Sequence, residues 1–158
     1  MIQKIISGGQ IGADQAGWIA AKKQGIKTGG YMPKGFKTKG IKTPYAYHPE
    51  FAELYGAVEH HLDTYPPRTA LNVKESCGTV RFATDFNTPG EVLTRNCILQ
   101  YNKPYFDVHI LGQTSPIGLA KWITDNNIQI LNVAGNADKR IEEFVVGFLM
   151  NTFDLLEQ

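Results

Sequence analysis

Ser7-Gly8-Gly9-Gln10-Ile11-Gly12-Ala13-Asp14 places three glycines and one acid where an apolar run gives way to a helical pattern. Without side chains, backbone N–H groups can approach an anion, and the helix N-terminus adds partial positive charge. Gly8, Gly9, Gln10 and Gly12 are therefore candidate phosphate contacts. The same glycines also suit a tight strand-to-helix turn. Their spacing is not the dinucleotide fingerprint G-x-G-x-x-G, and no G-K-[ST] follows, so neither a classical NAD site nor a Walker loop is supported. Asp14 either hydrogen-bonds a ligand hydroxyl or amine, or simply favours the helix N-terminus. Asn87-Thr88-Pro89-Gly90 precedes a second helix and offers a further phosphate cradle, although Glu91 brings a negative charge beside it. Thr88 and Thr94 supply hydroxyls that serve a ligand or a cap. Lys34-Gly35, Lys37, Lys39 and Lys42 alternate with Tyr31, Phe36, Tyr45 and Tyr47. That mixture can stack on bases and neutralise phosphates, or form a solvated loop. His48, His60, His61 and His109 have no metal-ligand spacing, and no Gly-x-Ser-x-Gly or Cys-His arrangement presents a nucleophile.

The elements that must hold these residues alternate. Residues 3–7, 26–31, 78–83, 105–111 and 128–133 read as strands. Helices are expected over 12–24, from Pro66-Pro67 to about Glu75, over 91–102, and from Ser115-Pro116 to about Asn126. A last helix follows Asp138, where Ile141, Phe144, Val145, Phe148 and Leu149 recur at helical spacing. Residues 32–49 read as a long loop, usually a functional feature in a compact domain, and residues 50–62 are ambiguous. Strand–helix alternation implies a parallel sheet. The expectation is an α/β, Rossmann-like fold over residues 1–158, one domain with a mostly parallel sheet of about five strands and helices on both faces. In such sheets ligands bind beyond the carboxyl ends of the strands. The glycine loop, the basic loop, the Asn87–Gly90 turn and Asn132-Val133-Ala134-Gly135-Asn136 all qualify.

Composition excludes other classes. The chain has 158 residues, 42% hydrophobic and 20% charged, with a formal net charge of +1. That is ordinary for a globular domain and excludes disorder, collagen and a disulfide scaffold. Cys77 and Cys97 have no CxxC spacing and suit a reduced, cytoplasmic chain. No signal peptide is read at the N-terminus, and no apolar run approaches the roughly 20 residues that span a bilayer. The neutral total hides an asymmetry. Residues 1–42 hold eight lysines against the single acid Asp14, a surplus of +7, whereas residues 43–158 hold eight basic and fourteen acidic residues, a deficit of −6. A basic N-terminal quarter points to an anionic partner, and the neutral total argues against a general nucleic-acid binder.

Several segments in register carry a family resemblance. Ile5 to Asp14 resembles the opening I-x-S-G-G-Q-T-G-x-D-x-A of the putative molybdenum carrier family. This family is the circularly permuted YpsA-like branch of the Rossmann-like superfamily that contains the LOG "lysine decarboxylase-like" proteins and DNA-processing protein A. Gly29 to Gly35 looks like its G-G-W-x-P-K-G, Tyr65 to Ser76 like its Y-x-x-R-T-x-x-N-V-x-x-S helix, and Leu131 to Gly135 like its L-N-V-A-G segment. The resemblance implies binding of a nucleotide-like ligand or the molybdenum cofactor, and self-association into a homo-oligomer (dimer or tetramer). By position it adds Lys34, Arg68, Asn72 and Gly135 to the binding candidates, with no catalytic residue and no protein-bound metal. Three departures stand out: Ile11 for the usual Thr, Gln15 for the usual Arg, and Asn96 or Cys97 where LOG-type phosphoribohydrolases carry a catalytic glutamate. Neither Asn96 nor Cys97 can serve as a carboxylate acid or base. The expected function is a small-molecule binding protein. A LOG-like N-glycosidic hydrolase is the alternative, with a single-stranded nucleic-acid binder behind it.

Overall fold

The computed structural model describes residues 1–158. The chain runs β1 (Lys4–Ser7), α1 (Ala13–Lys23), β2 (Lys27–Met32), β3 (Lys37–Lys39), β4 (Tyr45–Tyr47), α2 (Phe51–Tyr55) and β5 (Ala57–Glu59). It continues α3 (Tyr65–Glu75), β6 (Gly78–Ala83), α4 (Pro89–Gln100), β7 (Tyr105–His109), α5 (Pro116–Asp125) and β8 (Ile130–Gly135). A short 3-10 turn, Lys139–Ile141, leads into α6 (Glu142–Leu156).

Six strands form one sheet in the order β5-β2-β1-β8-β6-β7, and every pairing is parallel. The fold is α/β and Rossmann-like, as the strand–helix alternation implies. The strand count is six rather than five, because the ambiguous segment 50–62 contains β5, which pairs Gly30↔Ala57 through Met32↔Glu59 at the sheet edge. A strand of three residues carries too little periodicity to be read from sequence. The segment 32–49 is likewise not a plain loop. Its β3 and β4 form an antiparallel hairpin, Lys37↔Tyr47 to Lys39↔Tyr45.

The connections set where a ligand can enter. From β1 the chain winds outward through β2 to β5, then crosses to β6 and β7, and β8 finally inserts between β1 and β6. Neighbouring strands β1, β8 and β6 therefore send their following loops in different directions, leaving a crevice at their carboxyl ends.

Helices α1, α5 and α6 pack together on one face, and α3 and α4 on the other. The larger core lies on the first face. Ile5, Val80, Leu131 and Val133 from the central strands are fully buried there, with Phe82, Val145 and Leu149. Small residues on α1 allow the close approach, since a Cβ at Gly17 would lie 2.7 Å from Val133 Cβ. A second cluster, Trp18, Met32, Phe51 and Ala57, anchors α2 and the edge strand. Cys97 packs with Val73 and Ile98 between α3 and α4, and both cysteines are free thiols.

Gly17→Val forces branched atoms into Val133 on a central strand that cannot retreat. A loss of about 1–3 kcal/mol is expected from overpacking, read as a lower urea midpoint at unchanged m-value. Unchanged stability would show that α1 does not sit against β8 as described.

Candidate ligand-binding cleft

A cleft of about 750 Å³ opens at the carboxyl ends of β1, β6 and β8, within the size range of small-molecule sites. Gly8, Gln10 and Asp14 follow β1. Thr84 and Asp85 follow β6. Residues 134–138 continue β8, and Thr88 to Glu91 open α4. The α3 residues Tyr65, Arg68, Thr69 and Asn72 form the facing wall, and Lys39 and Tyr45 reach in from the hairpin.

Arg68 dominates the electrostatics. It is only 9% exposed, and none of its guanidinium nitrogens makes a hydrogen bond; Nε is completely buried without a partner. Its ionic neighbour is Asp14, with Nη1 3.9 Å from Oδ2, too long for a hydrogen bond. The Tyr65 ring covers it at 5.2 Å. Burial pushes the Asp14 carboxyl up to about 6 against the opposing pull of Arg68. Burial also draws Arg68 below its ordinary value, with Asp14 opposing. Desolvation therefore outweighs the attraction within this pair.

Gly8 makes this arrangement possible, because a Cβ there would lie 1.8 Å from Arg68 Nη1. Gly12 has φ +85° and a different role. Its Cβ would strike the backbone of Asn136 and Asp138, so it lets α1 start against the loop after β8. Some amides of the glycine loop and of the start of α1 are engaged by the protein itself. Gly9 N–H donates to Ser7 Oγ (3.2 Å), Gln10 N–H to Asp14 Oδ2 (3.1 Å) and Ala13 N–H to the Asn136 carbonyl (3.3 Å). The Gly9 and Gln10 amides are thus taken within the loop, with Asp14 as one of the acceptors, whereas the Gly8, Ile11 and Gly12 amides have no protein acceptor.

Two candidate polar contacts are committed to main chain. Gln10 donates through Nε2 to the Lys37 carbonyl (2.9 Å) and accepts from Lys39 N–H (3.2 Å), fastening the hairpin beside the glycine loop. Asn72 accepts from Tyr31 N–H (2.8 Å) and donates to the Tyr31 carbonyl (3.1 Å), holding α3 to β2. Lys34 and Gly35 lie outside the cleft. Lys34 is exposed, its N–H bonded to the Leu62 carbonyl (2.9 Å), and Gly35 N–H donates to the Glu59 carboxyl (2.5 Å). Gly9 also faces away, toward Met32 and Trp18.

Thr88, Pro89, Gly90, Thr94 and Gly135 do border the cleft. Thr94 Oγ1 donates to the Gly90 carbonyl (3.0 Å), whereas a Cβ at Gly90 would touch nothing within 4 Å. Asn96 is exposed, and Cys97 is buried between α3 and α4; neither borders the cleft. Thr84, Asp85 and Asp138 are lining residues that motif reading misses, and the signal for the first two is their place directly after β6. The chain has no group of three or more His, Cys, Asp or Glu arranged to hold a metal ion, and no helix long and apolar enough to cross a membrane.

The Asp14 environment has a consequence for stability. Its folded pKa lies above the ordinary 3.8, so the native state keeps a proton that the unfolded chain releases. Stability is then greatest below about pH 4 for this group and falls as pH rises through 6. Relative to Asp14→Asn, the native protein should lose on the order of 1–3 kcal/mol between pH 4 and pH 7. Parallel stability profiles in urea titrations of the two proteins would contradict this placement of Asp14.

The chain is similar over nearly its whole length to known proteins. Among solved structures, that of a protein described as "Putative molybdenum carrier protein", from Syntrophus aciditrophicus SB, superimposes with a TM-score of 0.78 at 32% identity. The match covers 99% of this chain and 96% of that one. No curated protein matches significantly. Residues 5–153 match the circularly permutated YpsA SLOG family, and the chain belongs to that family.

Proposed function

We propose that this protein binds a small phosphorylated, nucleotide-like ligand in the cleft, with the phosphate on Arg68. The observation that carries this reading is the buried guanidinium without a hydrogen bond. Buried polar groups are nearly always satisfied, and an isolated exception calls for a partner. A phosphate fits the planar fork of an arginine better than any other common anion. Lys39 lies on the same cleft, and Tyr45 and Tyr65 bring aromatic surface to its lining, which suits a base or pterin. Lys37 Nζ holds these rings in place, 4.6 Å from Tyr45 and 5.3 Å from Tyr65.

The molybdenum cofactor is one candidate of this chemistry, supported by the description of the structural relative. Its phosphate and flat ring system suit Arg68 and the tyrosines, and the cleft volume admits it. Because no cluster of metal-ligating side chains is present, a metal would enter as part of the ligand. Native mass spectrometry of the purified protein would identify what travels with it and how many chains associate; a homo-oligomer carrying one phosphorylated molecule per chain is expected.

Titration calorimetry with AMP tests the anion site. Arg68→Ala should weaken binding by about 10- to 100-fold, the worth of a hydrogen bond to a charged group. Lys39→Ala, at an exposed position, should cost less than about fivefold. Equal losses would sink the assignment of phosphate to Arg68. Gly90→Ala gives an independent reading. It meets no protein atom, so unchanged thermal stability with weakened AMP binding is expected if the ligand passes over α4's first turn.

A further inference from the structure

Arg68 accounts for an anion at one wall of the cleft and leaves the facing wall unexplained. Glu91 lies there, 4% exposed and bordering the cavity. Its Oε2 accepts from the Thr88 hydroxyl and from Asn136 Nδ2 (2.8 Å). Asn136 is itself fixed, accepting from Thr84 N–H (2.9 Å) and donating to the Asp85 carbonyl (3.0 Å). Glu91 is thus oriented by two donors on one oxygen, while Oε1 receives no donor from the protein. Asp14 repeats the pattern. Its Oδ2 is committed to Gln10 N–H and faces Arg68, and Oδ1 receives nothing. Asn136 brings the two acids to the same end of the cleft, since its carbonyl accepts from Ala13 N–H (3.3 Å), next to Asp14, while its Nδ2 donates to Glu91.

Paired acids alone would not define a site. The independent observation is Arg68, nine-tenths buried, unbonded, and pointing its Nη1 toward Asp14. A dication is disfavoured by that guanidinium and by the lack of a third ligating side chain. Neutral hydroxyl donors are not. They need only free acceptor lone pairs beside the anion site, which Asp14 Oδ1 and Glu91 Oε1 supply.

We propose that Asp14 and Glu91 form a hydroxyl-reading subsite that accepts hydrogen bonds from the vicinal diol of a ribosyl group. The ligand class is then a ribosyl phosphate, discriminated from its 2-deoxy counterpart. This inference rests on the proposed phosphate site for the ligand's orientation, but not for the hydroxyl contacts themselves. Both acids would be acceptors, and no bond of the ligand is broken.

Base-free probes test it: ribose 5-phosphate, 2-deoxyribose 5-phosphate and inorganic phosphate, titrated by NMR chemical-shift changes. The native protein should bind ribose 5-phosphate about tenfold or more tighter than the deoxy sugar, the penalty of an unfilled charged acceptor. Glu91→Gln, isosteric and still able to accept from Asn136, should bring that ratio to within about threefold. Should that variant fail to fold, Asp14→Asn must lower the same ratio. Arg68→Ala should weaken both sugar phosphates and inorganic phosphate alike and keep the ratio. A native ratio near one, a ratio untouched in both acid variants, or no binding of ribose 5-phosphate overturns the proposal. The phosphate reading fails separately, if Arg68→Ala leaves inorganic phosphate binding unaltered. The ribose to 2-deoxyribose comparison without phosphate would still report on the acids.

Discussion

A guanidinium taken out of water costs several kcal/mol unless its donors are matched, and an ion pair at 3.9 Å returns only part of that. The cleft is arranged around this imbalance at Arg68. Gly8 gives up a side chain so that the guanidinium can sit directly on the loop after β1. Asp14 is buried next to it, and burial draws its carboxyl toward the neutral form against the pull of the guanidinium. Tyr65 covers the flat face and contributes a cation–π contact without removing any N–H donor. Each neighbour tolerates the charge without taking up a guanidinium N–H donor.

Holding such a group requires walls that do not shift, and three side-chain amides supply them. An Asn or Gln amide presents one acceptor and paired donors, so it can imitate a peptide unit where a strand has stopped. Asn72 does this for Tyr31 of β2, which extends beyond the last residue of β1 paired with it. Gln10 does it for β3, tying the basic hairpin to the glycine loop. Asn136 links the turns after β6 and β8 to Glu91 at the start of α4. All three are buried, and losing any one would leave main-chain groups unpaired as well as loosening a wall.

The architecture was readable because its signals are long. Five strands and five helices have periodicity or caps that survive without tertiary context, as with Ser115-Pro116, where the Ser115 hydroxyl accepts from Gly118 N–H. The short edge strand β5 and the hairpin were not readable, since three-residue strands are defined by their partners. At the cleft, residue type identified the participants better than their tasks. Gln10 and Asn72 were legible as special polar residues, but sequence cannot tell an amide that binds a ligand from one that binds backbone 27 or 41 positions away. Glu91 shows the converse. Its charge looked unfavourable beside an anion, and only the donors from Thr88 and Asn136 reveal an acid that is deliberately oriented.

The basic N-terminal quarter also takes on a narrower meaning. Of its eight lysines, only Lys39 borders the cleft, and Lys37 spends its charge on two tyrosine rings. Against Arg68 and Lys39 stand Asp14, Asp85, Glu91 and Asp138, so the cleft lining carries two cations and four acids. It is not a positive funnel. A long polyanion gains affinity by releasing counterions along an extended basic track, and such a lining would repel most of its phosphates. A small ligand with one phosphate avoids that cost, provided the phosphate finds Arg68 and the rest of the molecule offers donors to the acids. The lining therefore combines one buried, directed cation with a surrounding acidic rim, a pattern unfavourable to chains of phosphates.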